Sequence, residues 1–440
     1  MKFGGSSVAN AQRIRNMAEI VISSLDRKPV LVLSAMGDTT DNLLEAANAA
    51  LKTGNADTAA IEKLHINTIK ELGIESFALA DTVQLIDELK NLLSGIFLVG
   101  ELSGRTKDYL VSFGERLCVR IAAAYFNSMG IKASAVDAWD GGFLTDSNFT
   151  SAELAGESWE LIPSKLLTPA ADGVLQVVTG FIAKDGKGNI TTLGRGGSDL
   201  TATMIGASCG AQEVQVWKDV DGILTADPKL VKNAQVVEAV TYDAAAELAY
   251  FGAQVLHPMA MQPCIKTGTP LLVKNSYNPK APGTRVVKSL AGEEKLLQAI
   301  TFRKNISVVD IVSTRMLGQY GFLSAVFSCF AKHGICVDVV TTSVVSISII
   351  LDASYDLGDL KKELSQVATV EVKTGKAVVA IIGDVSRSSE ILACAFNTCK
   401  KLGVQVQTLS HGASKLNICF AVNEDEAGGL VKALHNDFFG

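Results

Sequence analysis

The sequence predicts an α/β protein in two parts: a mainly parallel sheet domain over residues 1–284, then a duplicated α+β module over 300–372 and 373–440. Three observations carry this. Short apolar runs suited to buried strands alternate with stretches of helical periodicity, the pattern of a parallel sheet with crossover helices. Two glycine-rich loops interrupt that alternation, Gly4-Gly5 at the start of the first part and Gly194–Gly197 well inside it. From about residue 300 the texture becomes a repeat, in which Gly334-Ile335 recurs as Gly403-Val404.

Composition narrows the function classes. A chain of 440 residues, 48% of them hydrophobic, is long enough for about three domains with true cores. The net charge of −6 gives no basic field for nucleic acid. Eight cysteines without a C-x-x-C pair, mostly inside apolar runs, suit reduced, buried thiols and argue against zinc. No apolar run reaches membrane-spanning length and no basic leader precedes one, so a soluble, cytoplasmic protein with no membrane partner is expected.

The chain opens on Lys2-Phe3-Gly4-Gly5-Ser6-Ser7 ahead of a helical pattern (Ile14, Met17, Val21, Leu25). Glycines let backbone amides approach an anion, the helix dipole favours it, and lysine adds a mobile charge: a phosphate-handling loop. A plain turn with a solvated lysine is the competing reading. Pro29 ends the helix before the strand run Val30–Leu33, which leads into the hydroxyl-rich Ser34–Thr40, where open α/β sheets bind ligands. Residues 41–100 read as a helical excursion. A helix from about Asp108 carries Leu110, Leu117, Ile121 and Ala124 on one face and embeds Gly114-Glu115-Arg116, whose charges also fit a solvated surface pair. Strands follow at Ile131–Val136 and Gln176–Phe181.

Thr191–Asp199 then holds Gly194-Arg195-Gly196-Gly197-Ser198-Asp199 before the helical run Leu200–Cys209. This second glycine nest suits a carboxylate or phosphate, with Arg195 the cation. It is no dinucleotide fingerprint, because Asp199 stands where the third glycine belongs. After the strand Val214–Trp217, the loop Lys218–Lys229 mixes acids, glycine and lysine in a manner fit for a nucleotide; calcium-loop spacing is absent. A helix (Ala244–Phe251) and a last strand (Leu271–Lys274) close the first part, with Pro279, Pro282 and Gly283 as exit linker. In the repeat, each copy reads β-α-β-β-α, a ferredoxin-like module.

In combination, Lys2-Phe3-Gly4-Gly5-Ser6, Gly114-Glu115-Arg116, Gly194–Asp199, Phe251-Gly252-Ala253 and Val255-Leu256-His257-Pro258 resemble the aspartokinases over essentially the whole chain. These are amino-acid kinases with C-terminal ACT domains. The resemblance implies an amino-acid-kinase-like sandwich followed by two ACT modules, often nested so that one supplies a strand ahead of the other. It implies ATP- and Mg²⁺-dependent phosphorylation of the side-chain carboxylate of L-aspartate, at the head of lysine, threonine and methionine synthesis.

Carried over by position, Lys2, Gly4 and Gly5 stabilise the transferring group and Asp199 orients the lysine. Arg195 clamps the substrate α-carboxylate, Glu115 pairs its ammonium, Thr40 and Ser198 bond the remainder, and Ser34 flanks the phosphate path. Ser6, Lys218, Asp219, Leu224 and Lys229 meet the nucleotide, whose magnesium is held by phosphates and water rather than by a protein cage. The ACT pair is similar to that of lysine-inhibited members through Met316, Gly318, Gln319, Phe322, Leu323, Val337 and Asp338. There Asp338 takes the effector ammonium and the Met316–Phe322 backbone its carboxylate; Phe322, Leu323 and Val337 also fit simple core roles. Lysine is the expected effector and threonine the alternative, and a homodimer or homotetramer through ACT modules is expected.

Departures from the family pattern fall at one residue before Lys2, at Leu224 for tyrosine, Lys229 for arginine, Gln254 for lysine, Gly318 and Gln319 for histidine and serine, and Val344 for an acid. Rival readings are a glutamate-type amino-acid kinase and a non-catalytic amino-acid sensor on the same fold.

Overall fold

The central feature is an eight-stranded, mainly parallel sheet with the two-residue strand Lys2–Phe3 near its middle. Its order is Ala133–Val136, Leu175–Thr179, Leu31–Leu33, Lys2–Phe3, Val214–Lys218, Leu271–Asn275, Thr284–Val287, Ala239–Thr241. Lys2 pairs with Val32 on one side and Val216 on the other, both in parallel register. Parallel register carries the C-terminal ends of these strands to one edge, so Gly4, Ser34, Gly180 and Asp219 all emerge there. The computed structural model describes residues 1–252, 255–290, 295–313 and 320–440.

Helices form where the periodicity predicts them. Ala11–Ile22 is capped by Asn10, whose side chain accepts from Arg13 N, and buries Ile14, Met17 and Val21 in a core with Phe3, Leu31 and Leu33. The excursion over 41–100 resolves into Thr39–Thr53, Ala59–Leu72 and Glu75–Val99, whose apolar faces meet Leu110, Phe113 and Leu117 in a separate cluster. Those three residues lie on Gly104–Ser128, which Ser103 caps. No helix among the described residues is long and apolar enough to cross a membrane.

Several elements correct the sequence reading. The helix dipole was expected to act directly on the first loop; instead Gly5–Val8 is a 3-10 turn and the α-helix begins only at Ala11. Leu271–Asn275 is not the last strand of its sheet, because Thr284–Val287 pairs with it antiparallel, immediately after the supposed linker. Unforeseen elements are the helices Ser158–Ala171 and Pro258–Thr267 and a small sheet of Leu144–Thr145, Ile182–Asp185 and Ile190–Thr192.

The chain divides into two compact units, the first holding Met1–Ile223, Glu238–Tyr242 and Val255–Ser289. The second unit takes Leu224–Val237 and Asp243–Gln254 together with Leu290–Gly440. It is built on one six-stranded antiparallel sheet, ordered Val339–Thr342, Ser346–Asp352, Leu297–Val312, Thr369–Gly383, Asn417–Asn423, Thr408–Ser410. The two long central strands serve both halves. Val309 and Ile311 enter one core with Val326, Phe330 and Ile349. Leu297 and Ile300, earlier on the same strand, enter another with Val379, Ile418 and Leu430, joined by Ala226 and Val231.

Candidate active site

At the edge where the parallel strands end, a cleft of about 290 Å³ is lined by Lys2, Thr40, Glu115, Ser198 and Asp199, with Phe181 and the glycines 194, 196 and 197. Strand, loop and helix each deliver one part. Lys2 is buried in the central strand with its Nζ 2.6 Å from Asp199 Oδ1, and Lys218 Nζ lies 3.0 Å from Oδ2 of the same carboxylate. Burial alone would raise the Asp199 carboxyl, but the two ammoniums outweigh it and hold it below the ordinary carboxylate range. Two cations around one anion leave an uncompensated positive charge in the cleft.

Glu115 supplies the second electrostatic element. Its side chain is only 3% exposed, which excludes the solvated-pair reading. Ala35 N donates to its Oε1 at 3.1 Å, while the buried Oε2 has no hydrogen-bond partner. Desolvation pushes the carboxyl up to about 8 against that one bond and the field of Lys2. Arg116, its sequence neighbour, turns away to Glu88 at 3.4 Å and Asp137 at 3.9 Å. Gly114 makes the close approach possible, since a Cβ there would lie 2.7 Å from Ala35 Cβ.

The second glycine nest leads into the helix Gly197–Ser208 from a left-handed Gly196 (φ +76°), where a Cβ would fall 2.5 Å from His257 Cβ. The Val255–Pro258 motif is thus a packing partner of this nest. Ser198 Oγ accepts from Ser34 Oγ at 3.0 Å, and Gly180 leaves room for Ser198. Arg195 is exposed between two lining glycines and makes no ion pair among the described residues.

The first loop is fastened from below: Ser7 and Ser276 hydroxyls meet at 2.7 Å, Tyr277 donates to Ser6 O, and Arg13 lies 3.3 Å over the Tyr277 ring. Gly4 stands beside Lys2 Nζ, and Ser6 is exposed.

The remaining predicted residues are not among those lining the cleft. Asp219 is exposed just beyond its strand, whereas Leu224 and Lys229 belong to the second unit. Within that unit Phe322 and Val337 pack on a core, Leu323 is 43% exposed, and Asp338 accepts from both Arg303 and Tyr250. Met316, Gly318, Gln319 and Gln254 lie outside the described residues. Sequence reasoning missed Phe181, whose left-handed backbone (φ +70°) had no glycine to announce it, and the pairing of Lys218 with Asp199. Among the described residues no cluster of three or more His, Cys, Asp or Glu forms a metal cage.

The model of the amino acid kinase family matches residues 1–275, and an ACT domain model matches 379–438. Aspartokinase 1, chloroplastic, of Arabidopsis thaliana is 48% identical over all of this chain and 80% of its own length. The chain belongs to the aspartokinase family. A crystal structure of Escherichia coli aspartokinase III with aspartate and ADP, in the R-state, superposes with a TM-score of 0.85 at 32% identity, covering 100% of this chain and 99% of that one. The same enzyme with lysine and aspartate, in the T-state, gives 0.82 at 32% identity over the same shares. Within an aspartokinase framework, the departures at Leu224 and Lys229 both fall on a segment whose neighbours Ala226 and Val231 are buried in the second unit's core.

Proposed function

We infer that this chain transfers the γ-phosphoryl group of ATP to the side-chain carboxylate of L-aspartate, giving 4-phospho-L-aspartate and ADP, and is feedback-inhibited by an amino acid. The observation that carries the reading is the cleft lined by Lys2, Asp199 and a buried Glu115 with a free oxygen, in which Lys2 and Lys218 both pair with Asp199. A carboxylate is already ionised at neutral pH, so the attacking oxygen needs no general base. It bonds to the γ-phosphorus while the bond to the bridging oxygen of ADP breaks, and the task left to the protein is positioning and charge stabilisation.

Lys2 and the Gly5 amide hold the transferring group, the Gly4 amide being directed at Trp217 O at 3.4 Å, and Asp199 keeps both lysines aimed. Glu115 gives up its proton to pair the substrate ammonium through Oε2. Arg195 takes the α-carboxylate, with Thr40, Ser198 and Ser34 as hydroxyl partners. Ser6, Lys218 and Asp219 face the nucleotide. Mg²⁺ would arrive on the ATP phosphates and neutralise them; each Asp199 oxygen already faces an ammonium, and no cluster of three or more His, Cys, Asp or Glu among the described residues offers a cage, which fits a metal held by phosphate and water.

The two ACT modules, nested so that the strands Leu297–Val312 and Thr369–Gly383 serve both, bind lysine in preference to threonine through Asp338 and the segment 316–323. They pair across subunits into a homodimer or homotetramer, and the enzyme works in the cytoplasm.

The test is hydroxylamine trapping of the acyl phosphate with MgATP, repeated with added lysine or threonine. Aspartate-dependent hydroxamate suppressed by lysine is expected. Hydroxamate with glutamate instead would reassign the substrate, and binding without turnover would favour a sensor.

A further inference from the structure

The reading of Arg195 as a carboxylate clamp leaves open what places an exposed guanidinium in a loop with three glycines. The answer lies beneath the loop. Asp108, on the helix Gly104–Ser128, is 1% exposed and sits seven residues, or about two turns, before Glu115, on the same face. Its Oδ2 accepts from Thr150 N at 2.9 Å and from Thr192 N at 3.0 Å, and its Oδ1 accepts from Thr192 Oγ1 at 2.8 Å.

Both partners govern the nest. Thr192 ends the strand Ile190–Thr192, two residues before Gly194. Thr150 holds a left-handed backbone (φ +72°), a conformation that a β-branched residue keeps only where its surroundings enforce it. Ala152 N donates to Thr192 O at 2.8 Å, which zips the two segments together. A Cβ on Gly194 would come within 3.3 Å of Ser151 Oγ and 3.5 Å of Thr150 O, so the Thr150 loop is the floor on which the glycine nest rests.

We propose that Asp108 is a positioning residue for aspartate binding: by tying Thr150 and Thr192 to the helix that carries Glu115, it fixes the distance between the ammonium acceptor and the Arg195 guanidinium. One rigid helix then sets both ends of the substrate's amino-acid moiety. The inference rests on the clamp reading of Arg195 given above.

A mutant cycle on the full-length enzyme tests it, using Asp108→Ala, Arg195→Ala and the double variant, with KM for aspartate, KM for ATP and kcat measured for each. Asp108→Ala is expected to raise KM for aspartate about tenfold while kcat and KM for ATP stay within about twofold. In the Arg195→Ala background the same change should add less than about twofold, because the groups act in series. Asp108→Asn should restore near-normal KM, since its amide oxygen can still take both backbone N–H groups and its NH₂ can donate to Thr192 Oγ1.

Full additivity in the cycle, or an unchanged aspartate KM in Asp108→Ala, overturns the proposal while leaving the Arg195 clamp standing. An unchanged aspartate KM in Arg195→Ala alone removes the clamp and the proposal together. Should Asp108→Ala not fold, Thr192→Val, which deletes one of the three bonds, replaces it in the cycle, with the same non-additivity expected and additivity fatal.

Discussion

Lys2 Nζ lies 2.6 Å from Asp199 Oδ1, a buried ion pair between residues that the chain separates by most of its first domain. Lys2→Ala should lower kcat about 10²–10³-fold, the loss typical of removing one preorganised donor from a transferring group. Aspartate binding measured by calorimetry should survive. Near-normal turnover would sink the role given to Lys2.

Glu115 links the cleft to pH. In the folded chain its carboxyl holds a proton up to about pH 8, against an ordinary value of 4.5. Between those values the folded state binds a proton that the unfolded state has released, so this group's contribution to stability is full below about 4.5 and falls as pH rises through 8. The melting temperature of the ligand-free wild type should therefore decline more steeply from about pH 5 to 8 than that of Glu115→Gln. Aspartate affinity should rise over the same range, because the ionised form pairs with the ammonium. Parallel melting curves for the two proteins would remove the buried proton from the account.

Regulation can be approached through Asp338, which is already engaged by Arg303 and Tyr250. If Asp338 takes the effector ammonium, as proposed above, that ammonium has to compete with the guanidinium for the same carboxylate. Arg303→Ala should lower the lysine concentration for half-inhibition several-fold, and Asp338→Ala should abolish the response. Inhibition curves of hydroxamate formation decide this; an unaltered midpoint in both variants would place the effector elsewhere.

Gly114→Ala probes the contact that lets Glu115 reach Ala35 N. The added methyl would press on Ala35, at a cost of about 1–3 kcal/mol for overpacking, against a helix-propensity gain of at most about 1 kcal/mol. A lower denaturation midpoint together with a weakened aspartate KM is expected, and a stabilised variant with unchanged KM would contradict it.

Much of this was readable from local pattern, and the unread part was long-range. The glycines with their lysine and arginine announced anion chemistry at Gly4 and at Gly194–Asp199, whereas local pattern read Glu115 as half of a solvated pair and only the family resemblance put it in the site. Nothing local could say that Arg116 turns to Asp137 while Glu115 faces inward, because both sit on one helix and only the packing of Gly114 against Ala35 chooses between them. Thr284–Val287 escaped notice because Pro282-Gly283 punctuates the chain like a linker, although the left-handed Gly283 is the turn into that strand. The loop after Lys218 read as one nucleotide segment. Its second half is instead fastened within the regulatory unit, where Thr225 Oγ1 and His435 Nε2 meet at 2.9 Å.

The strand Leu297–Val312 contributes its first half to one core and its second half to the other. A gene fragment starting downstream of it would translate a sheet with an uncovered flank along Thr369–Gly383, open to pairing with any extended chain it met. The two regulatory repeats are therefore inherited as one block: neither can be lost, swapped or grafted onto another protein without carrying this shared strand along.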